Sequence, residues 1–256
     1  EDCKGLFLPA TGMVAHGGGS VGLSLVSLGD PSNERKGCPV AAVLSEDGKV
    51  WIWSTRSGGA LVGSFALLDK KAENHHAVFY VSEGAEHVTF HAAVPAAGGP
   101  LCWHSAHLSR QLMKDLSEFI CDVSLKNPIL TKRVGAPPAS DDARPCFAVD
   151  ADGDVIGTYY VTAKGEVAFL SVEGDTVVLQ APERPVCGLH YLPLSQVLVV
   201  GLEDCSIRFI PVAPPGSSAT LDSPPLKVDG GVTAAAEVSP DLWVAGTGTG
   251  RVQVVH

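Results

Sequence analysis

Nowhere in this 256-residue sequence does an apolar run approach the roughly 20 residues that a membrane helix requires, so no membrane span is expected. Positive charge is scarce as well. Lys and Arg number 18 against 28 Asp and Glu, a formal net charge of −10. That field repels phosphate backbones, so nucleic acid is not an expected partner. The seven cysteines, Cys3, Cys38, Cys102, Cys121, Cys146, Cys187 and Cys205, contain no C-x-x-C pair. Their odd number and wide spacing suit free thiols in a reducing compartment better than a disulfide framework. The opening Glu1-Asp2-Cys3-Lys4 lacks both an initiating Met and the features of a secretory signal. A cytoplasmic or nuclear protein, or a domain excised from a larger one, is the expectation. Charged residues are only 18% of the chain against 45% hydrophobic, which excludes a disordered composition.

What the chain does have is turn residues, with 28 Gly and 18 Pro. Four stretches superimpose on one another without gaps: Asp47-Gly-Lys-Val-Trp-Ile-Trp-Ser54, Lys164-Gly-Glu-Val-Ala-Phe-Leu-Ser171, Asp204-Cys-Ser-Ile-Arg-Phe-Ile-Pro211 and Thr249-Gly-Arg-Val-Gln-Val-Val-His256. Each is a turn pair followed by a short strand pattern with Val or Ile at its fourth position. Apolar runs precede each turn at 40–44, 155–161, 197–201 and 242–246, and a further run lies upstream of the last three, at 146–149, 186–192 and 232–238. More polar strand candidates follow the first two units at 60–68 and 175–180. The anchors Val50, Val167, Ile207 and Val252 are 117, 40 and 45 residues apart. Four short strands repeated every 40 to 45 residues predict propeller blades.

These units resemble the WD40-type β-propeller family. Asp47 to Ser54 looks like that family's turn between its second and third strands, ending in a Trp, with Ser54 where Asp is usual. Leu170, Ile210 and Val255 occupy the Trp position in the other units. The resemblance covers residues 40–68 and 144–256. It implies an all-β, single-domain propeller of five or six four-stranded blades spanning residues 1–256. The blade-like units lie near 20–68, 75–134, 144–182, 185–228 and 231–256. The last unit ends after its third strand, and Gly5 to Pro9 or Met13 to His16 is expected to supply the fourth.

Residues 70–143 depart from the repeat. Ser109 to Ile120 places Leu112, Met113, Leu116, Phe119 and Ile120 at helical spacing behind a candidate N-cap, Ser109. This predicts a helical insertion near 109–120 whose Leu112, Leu116 and Phe119 either reach toward a partner or pack on the β-structure. Gly135 to Arg144 and residues 214–231, both rich in Pro and Gly, read as long solvated loops.

Catalytic and metal signals are thin. His75, His76, His87, His91, His104 and His107 cluster around Cys102, but the Cys102-x-His104-x-x-His107 spacing matches no standard zinc site. Asp150-Ala-Asp-Gly-Asp154 is similar to a calcium loop but has Gly153 at position 4 and Val161 at position 12, so a β-turn is expected. Ala15-His-Gly-Gly-Gly-Ser20 lacks an accompanying nucleophile elbow, and Gly246-Thr-Gly-Thr-Gly250 runs on into a strand pattern where a dinucleotide site would open a helix. No cofactor is expected. Trp51 and Trp53, two apart on one strand pattern, share a face and are either partner contacts or packing between blades.

The leading reading is a non-enzymatic scaffold for protein–protein interaction, a subunit of a larger intracellular complex. Its resemblance to the small propellers of vesicle coats and nuclear pores implies a partner that completes the ring by adding a strand or blade. The alternative is a propeller enzyme, or a small-ligand or metal binder, using the His-rich 75–107 region. A third reading is two unrelated β domains divided near 135–145.

Overall fold

Residues 20–28, 38–54, 61–68, 77–84, 86–96, 99–110, 123–124, 128–140, 142–179, 182–212, 224–240 and 242–255 are described by the computed structural model. Their regular structure is β. The first strands are β1 (Ser20–Leu28), β2 (Cys38–Ser45), β3 (Lys49–Ser54) and β4 (Leu61–Ala66). β5 (Val78–Glu83), β6 (His87–Pro95), β7 (Pro100–Ser109), β8 (Val123–Ser124) and β9 (Ile129–Pro138) follow. Next come β10 (Cys146–Val149), β11 (Val155–Val161), β12 (Val167–Ser171) and β13 (Thr176–Val178). The remainder are β14 (Val186–Leu192), β15 (Val197–Leu202), β16 (Ser206–Pro211), β17 (Leu226–Lys227), β18 (Val232–Ser239), β19 (Leu242–Thr247) and β20 (Val252–Val255).

The sheets are meanders of strands nearly in chain order: β1-β2-β3-β4-β8, β5-β6-β7-β9, β10-β11-β12-β13, β14-β15-β16-β17 and β18-β19-β20. Pairing is antiparallel from β1 to β4, from β10 to β13, from β14 to β17 and from β18 to β20; β8 joins β4 in parallel through Gly63 and Ser64. The chain divides into two compact units, residues 1–75, 79–92 and 104–132 in one and 76–78, 93–103 and 133–256 in the other.

The repeat seen in the sequence is a repeat of one turn. Gly48, Gly165, Cys205 and Gly250 all have left-handed backbone, with φ of 82°, 80°, 61° and 79°. Each donates its N–H to the carbonyl three residues earlier, on Ser45, Thr162, Leu202 and Thr247, at 2.8 to 3.1 Å. Glycine adopts this conformation at no steric cost, and Cys205 is the exception. Val50, Val167, Ile207 and Val252 then stand at or next to the start of the following strand in every unit.

In the second unit three sheets stack in chain order, and β15 shows why its sequence is apolar throughout. Leu198, Val200 and Leu202 pack with Tyr159, Val161, Val167 and Phe169 of the preceding sheet. Val199 lies in the opposite layer, with Leu192, Ile207, Val232, Trp243 and Ala245. A strand covered on both faces needs apolar residues at every position. Gly157 is required by this packing, because a Cβ there would lie 2.1 Å from the Phe169 ring and 2.8 Å from the Leu170 carbonyl oxygen. In β18–β20 only one face is covered among the described residues: β19 alternates buried and half-buried positions, and Val252 and Val254 of β20 are 73% and 65% exposed.

In the first unit β2 is buried along its described side chains, and Ala41, Val43 and Trp53 form one apolar cluster with Trp51 and Leu61 against it. Phe65 meets Phe90 edge to face, with ring centroids 5.2 Å apart.

Two loop readings are corrected. Gly135 to Pro138 belong to β9, at the edge of its sheet among the described residues and with mostly exposed or half-buried side chains, where a proline's lack of an N–H costs no ladder bond. Within 214–231, Leu226 and Lys227 form β17 and pair with Ile207 and Ser206. Ser109 ends β7. The rest of the expected helix from residue 111, and the closing segment at 5–16, lie outside the described residues.

Candidate functional site

The polar side chains of the turns are committed to their own backbone. The Asp150 carboxylate accepts the N–H groups of Asp152 and Asp154 at 3.0 and 2.9 Å, while Gly153 donates to the Asp150 carbonyl; this is the β-turn expected, with its carboxylate already engaged. Thr162 and Ser171 use their hydroxyls in the same way on the N–H groups two and four residues later. At Asp204 the Ser206 hydroxyl, then the Lys227 ammonium at 2.9 Å, hold the carboxyl down to about 2. Asp47 also lies below the ordinary carboxylate range: burial opposes ionisation, but the Ser45 hydroxyl and Lys49 outweigh it.

Trp53 is 7% exposed and belongs to the core cluster of its sheet. Trp51 is half-buried on the same face and donates its indole N–H to the Ser45 hydroxyl at 3.1 Å, while that hydroxyl donates to the Asp47 carboxylate. Trp53 thus packs in the core of its sheet, and Trp51 bonds the turn that precedes it. Leu112, Leu116 and Phe119 lie outside the described residues.

Of the His-rich segment, His75 and His76 lie outside the described residues, His87 and His91 lie on β6, and His104 and His107 lie on β7. His91 is buried, with Nε2 bonded to the Ser82 hydroxyl and Nδ1 to the Ser105 hydroxyl, each at 3.1 Å. Both ring nitrogens are thus engaged, and the group is closed to solvent. His107 Nδ1 bonds the Thr89 hydroxyl at 3.0 Å, and His87 is exposed. Among the described residues no three His, Cys, Asp or Glu side chains come together as a metal would need.

An apolar cleft lies between β14–β17 and β18–β20. Its volume is about 430 Å³, and it is lined by Leu192, Val197, Phe209 and Leu226 of one sheet and by Trp243 and Val255 of the other, with Ser195 and Pro240. None of these side chains is charged. The Phe209 and Trp243 rings meet edge to face at 5.3 Å, and Leu226 is 40% exposed. Beside the cleft, Glu237 of β18 accepts the N–H groups of Leu194 and Ser195 at 2.7 and 2.9 Å and the Ser195 hydroxyl, tying the β14–β15 turn to the next sheet.

β20 borders this cleft and has a neighbour on one side only among the described residues. The Thr247 N–H donates to the Arg251 carbonyl at 2.9 Å, so that pair is hydrogen-bonded. Alternation along an antiparallel ladder then makes Gly246–Val252 and Val244–Val254 the pairs whose N–H and C=O groups turn away from each other. Val252 and Val254 thus aim their backbone groups at the open edge.

No family model matches the chain, and no curated protein matches it. The crystal structure of BBS1N in complex with ARL6DN, soaked with lead, is similar over 92% of this chain, with 13% sequence identity and a TM-score of 0.48. The match spans 60% of that protein's chain.

Phe209, Leu226 and Trp243 were not singled out in the sequence as site residues, because they come together only through the stacking of two sheets. The signal available was Val252-Gln-Val-Val255, an uncharged strand in the last unit. No helix among the described residues is long and apolar enough to cross a membrane.

Proposed function

We propose that this chain is a WD40-type β-propeller of five or six blades acting as a non-enzymatic scaffold for protein–protein interaction within a larger complex. The observation that carries this reading is an uncovered apolar surface on an otherwise self-satisfied β repeat. The turn carboxylates and hydroxyls bond their own backbone, whereas Val252, Val254, Leu194 and Leu226 are 73%, 65%, 58% and 40% exposed. Val252 and Val254, two residues apart, share one face of β20, and exposed apolar patches mark interaction surfaces. Free thiols at Cys102, Cys146, Cys187 and Cys205 accord with a reducing, cytoplasmic or nuclear setting.

The test is co-purification from native extract with quantitative mass spectrometry, comparing the intact chain with a variant carrying Leu112→Ser, Leu116→Ser and Phe119→Ser. A reproducible stoichiometric partner set supports the reading. Its loss in the still-folded variant assigns the contact to the 109–120 segment. An intact chain that emerges alone refutes the scaffold and turns attention to metal and small-ligand screens of 75–107.

A further inference from the structure

We propose that the seam between the sheet β14–β17 and the sheet β18–β20 is pH-sensitive. His190 is its proton acceptor, and mild acid loosens the last sheet from the one before it.

The ring's place follows from the ladder. Alternation puts Gly188, His190 and Leu192 on one face of β14, and Val199, directly opposite His190 on β15, shares that face. Leu192 and Val199 belong to the apolar layer that they form with Val232, Trp243 and Ala245 of the last sheet. His190 is thus a titratable ring on the face that meets that sheet.

Its surroundings suit the neutral ring and not the charged one. Nε2 of His190 is enclosed and has no hydrogen-bond partner among the described residues. The backbone of β18 closes over the same spot. A Cβ at Gly188 would lie 3.0 Å from the Val232 carbonyl oxygen and 3.6 Å from His190 Nε2, so the glycine is what lets the two sheets approach there. An enclosed imidazolium would carry an N–H with no acceptor, and a buried charge without a partner is costly. Burial holds the imidazole below its usual range, and the Val232 carbonyl, which favours the charged form, does not outweigh it.

The other ionisable groups of the packed strands leave the ring without a carboxylate. β15, β19 and β20 carry no ionisable side chain. Glu237 of β18 is engaged by the Leu194 and Ser195 amides. On β14 itself, Tyr191 packs into the opposite layer, as do Cys146 of β10 and Tyr159 of β11. Burial, then Cys205, Glu203 and Asp204, push the Cys187 thiol up, so it stays neutral. Arg208 of β16 stands opposite Val200, whose side chain is in that far layer too. Lys227 of β17 pairs with Asp204, and Arg251 with Asp229.

Opening the seam returns the ring to water and to its ordinary pKa of 6.5. Above that pH the ring is neutral whether the seam is open or closed, and opening is independent of pH. Below it, opening takes up a proton, so acid favours the open form by up to about tenfold per pH unit.

The test is residue-resolved hydrogen exchange on the full chain between about pH 7.5 and 5.5, corrected for intrinsic exchange, with an NMR titration of the His190 ring. The Leu194 and Ser195 amides bond Glu237 across the seam and report its opening. The β11–β12 ladder reports on a sheet away from it. The ring is expected to titrate below 6.5. Opening at Leu194 and Ser195 is expected to rise about threefold or more over this range, with the β11–β12 amides unchanged. His190→Gln and His190→Leu, neither of which titrates, are expected to flatten that rise. A dependence carried by Glu237 would survive both substitutions.

The proposal is overturned by a ring that titrates at or above 6.5, by seam amides that do not respond, or by a response that persists in both variants. Equal shifts at the seam and in β11–β12 would overturn it too, by showing unfolding of the whole. No partner enters the experiment, so its failure leaves the scaffold reading standing.

Discussion

Glu237→Ala tests whether the stacking of sheets in the second unit depends on one carboxylate. Glu237 of β18 accepts the Leu194 N–H at 2.7 Å, the Ser195 N–H at 2.9 Å and the Ser195 hydroxyl, whose single proton is shared with the Pro240 carbonyl 2.8 Å away. The turn it holds contains Gln196 with φ of 51°, a left-handed conformation that costs a side-chain-bearing residue energy. Hydrogen bonds to a charged acceptor contribute roughly 1.5 to 3 kcal/mol each when the donor is left unsatisfied. Leu194 is 58% exposed and regains a water on its N–H, whereas the Ser195 groups are partly buried and do so less completely. One bond's worth, about 2 kcal/mol, is therefore the expected loss. It appears as a roughly 30-fold faster exchange of the Leu194 and Ser195 amides, while Glu237→Gln, which keeps an acceptor oxygen, loses about half as much free energy. Exchange at those two amides within about twofold of wild type, a difference under 0.5 kcal/mol, would refute the argument.

Cys205→Gly relieves the one non-glycine among the four equivalent turns, φ 61°. It is expected to stabilise the chain by about 1 kcal/mol, seen as a higher urea midpoint at unchanged slope. Gly157→Ala drives a methyl into the Phe169 ring and the Leu170 carbonyl and is expected to cost about 1 to 3 kcal/mol; Gly157→Ala with Phe169→Leu recovers part of it by the same measure. His190 has a buried Nε2 with no partner among the described residues, and burial pushes its pKa below the usual 6.5, against a bond to Val232. Its neutral form is thus the folded form, so this contribution to stability is complete above pH 6.5 and shrinks as pH falls below it. His190→Leu flattens the slope of urea stability against pH between about 6.5 and 5.

Legibility in the sequence followed the physics of each element. The runs at 146–149, 155–161 and 186–192 coincide with β10, β11 and β14, because strands buried on one or both faces must be apolar and the turns between them need glycine. The four-turn alignment held down to backbone dihedrals, including Cys205, which no glycine pattern would have found. Between Val50 and Val167 the period was invisible for two reasons. β6 and β7 are nine and ten residues long and carry His and Ser in their buried positions, where His91 joins Ser82 to Ser105. Their sheet ends in β9, whose prolines belong to an edge strand but read locally as a loop. The cleft was illegible for a different reason. Phe209 and Leu226 lie on one sheet and Trp243 and Val255 on the next, and each reads by itself as an ordinary core position. What makes them a candidate site is that the sheet behind them has a fourth strand, β17, facing a neighbour that has three among the described residues. Their meeting is a property of sheet stacking, and stacking depends on how far apart two meanders settle. Local alternation within either meander carries no record of it.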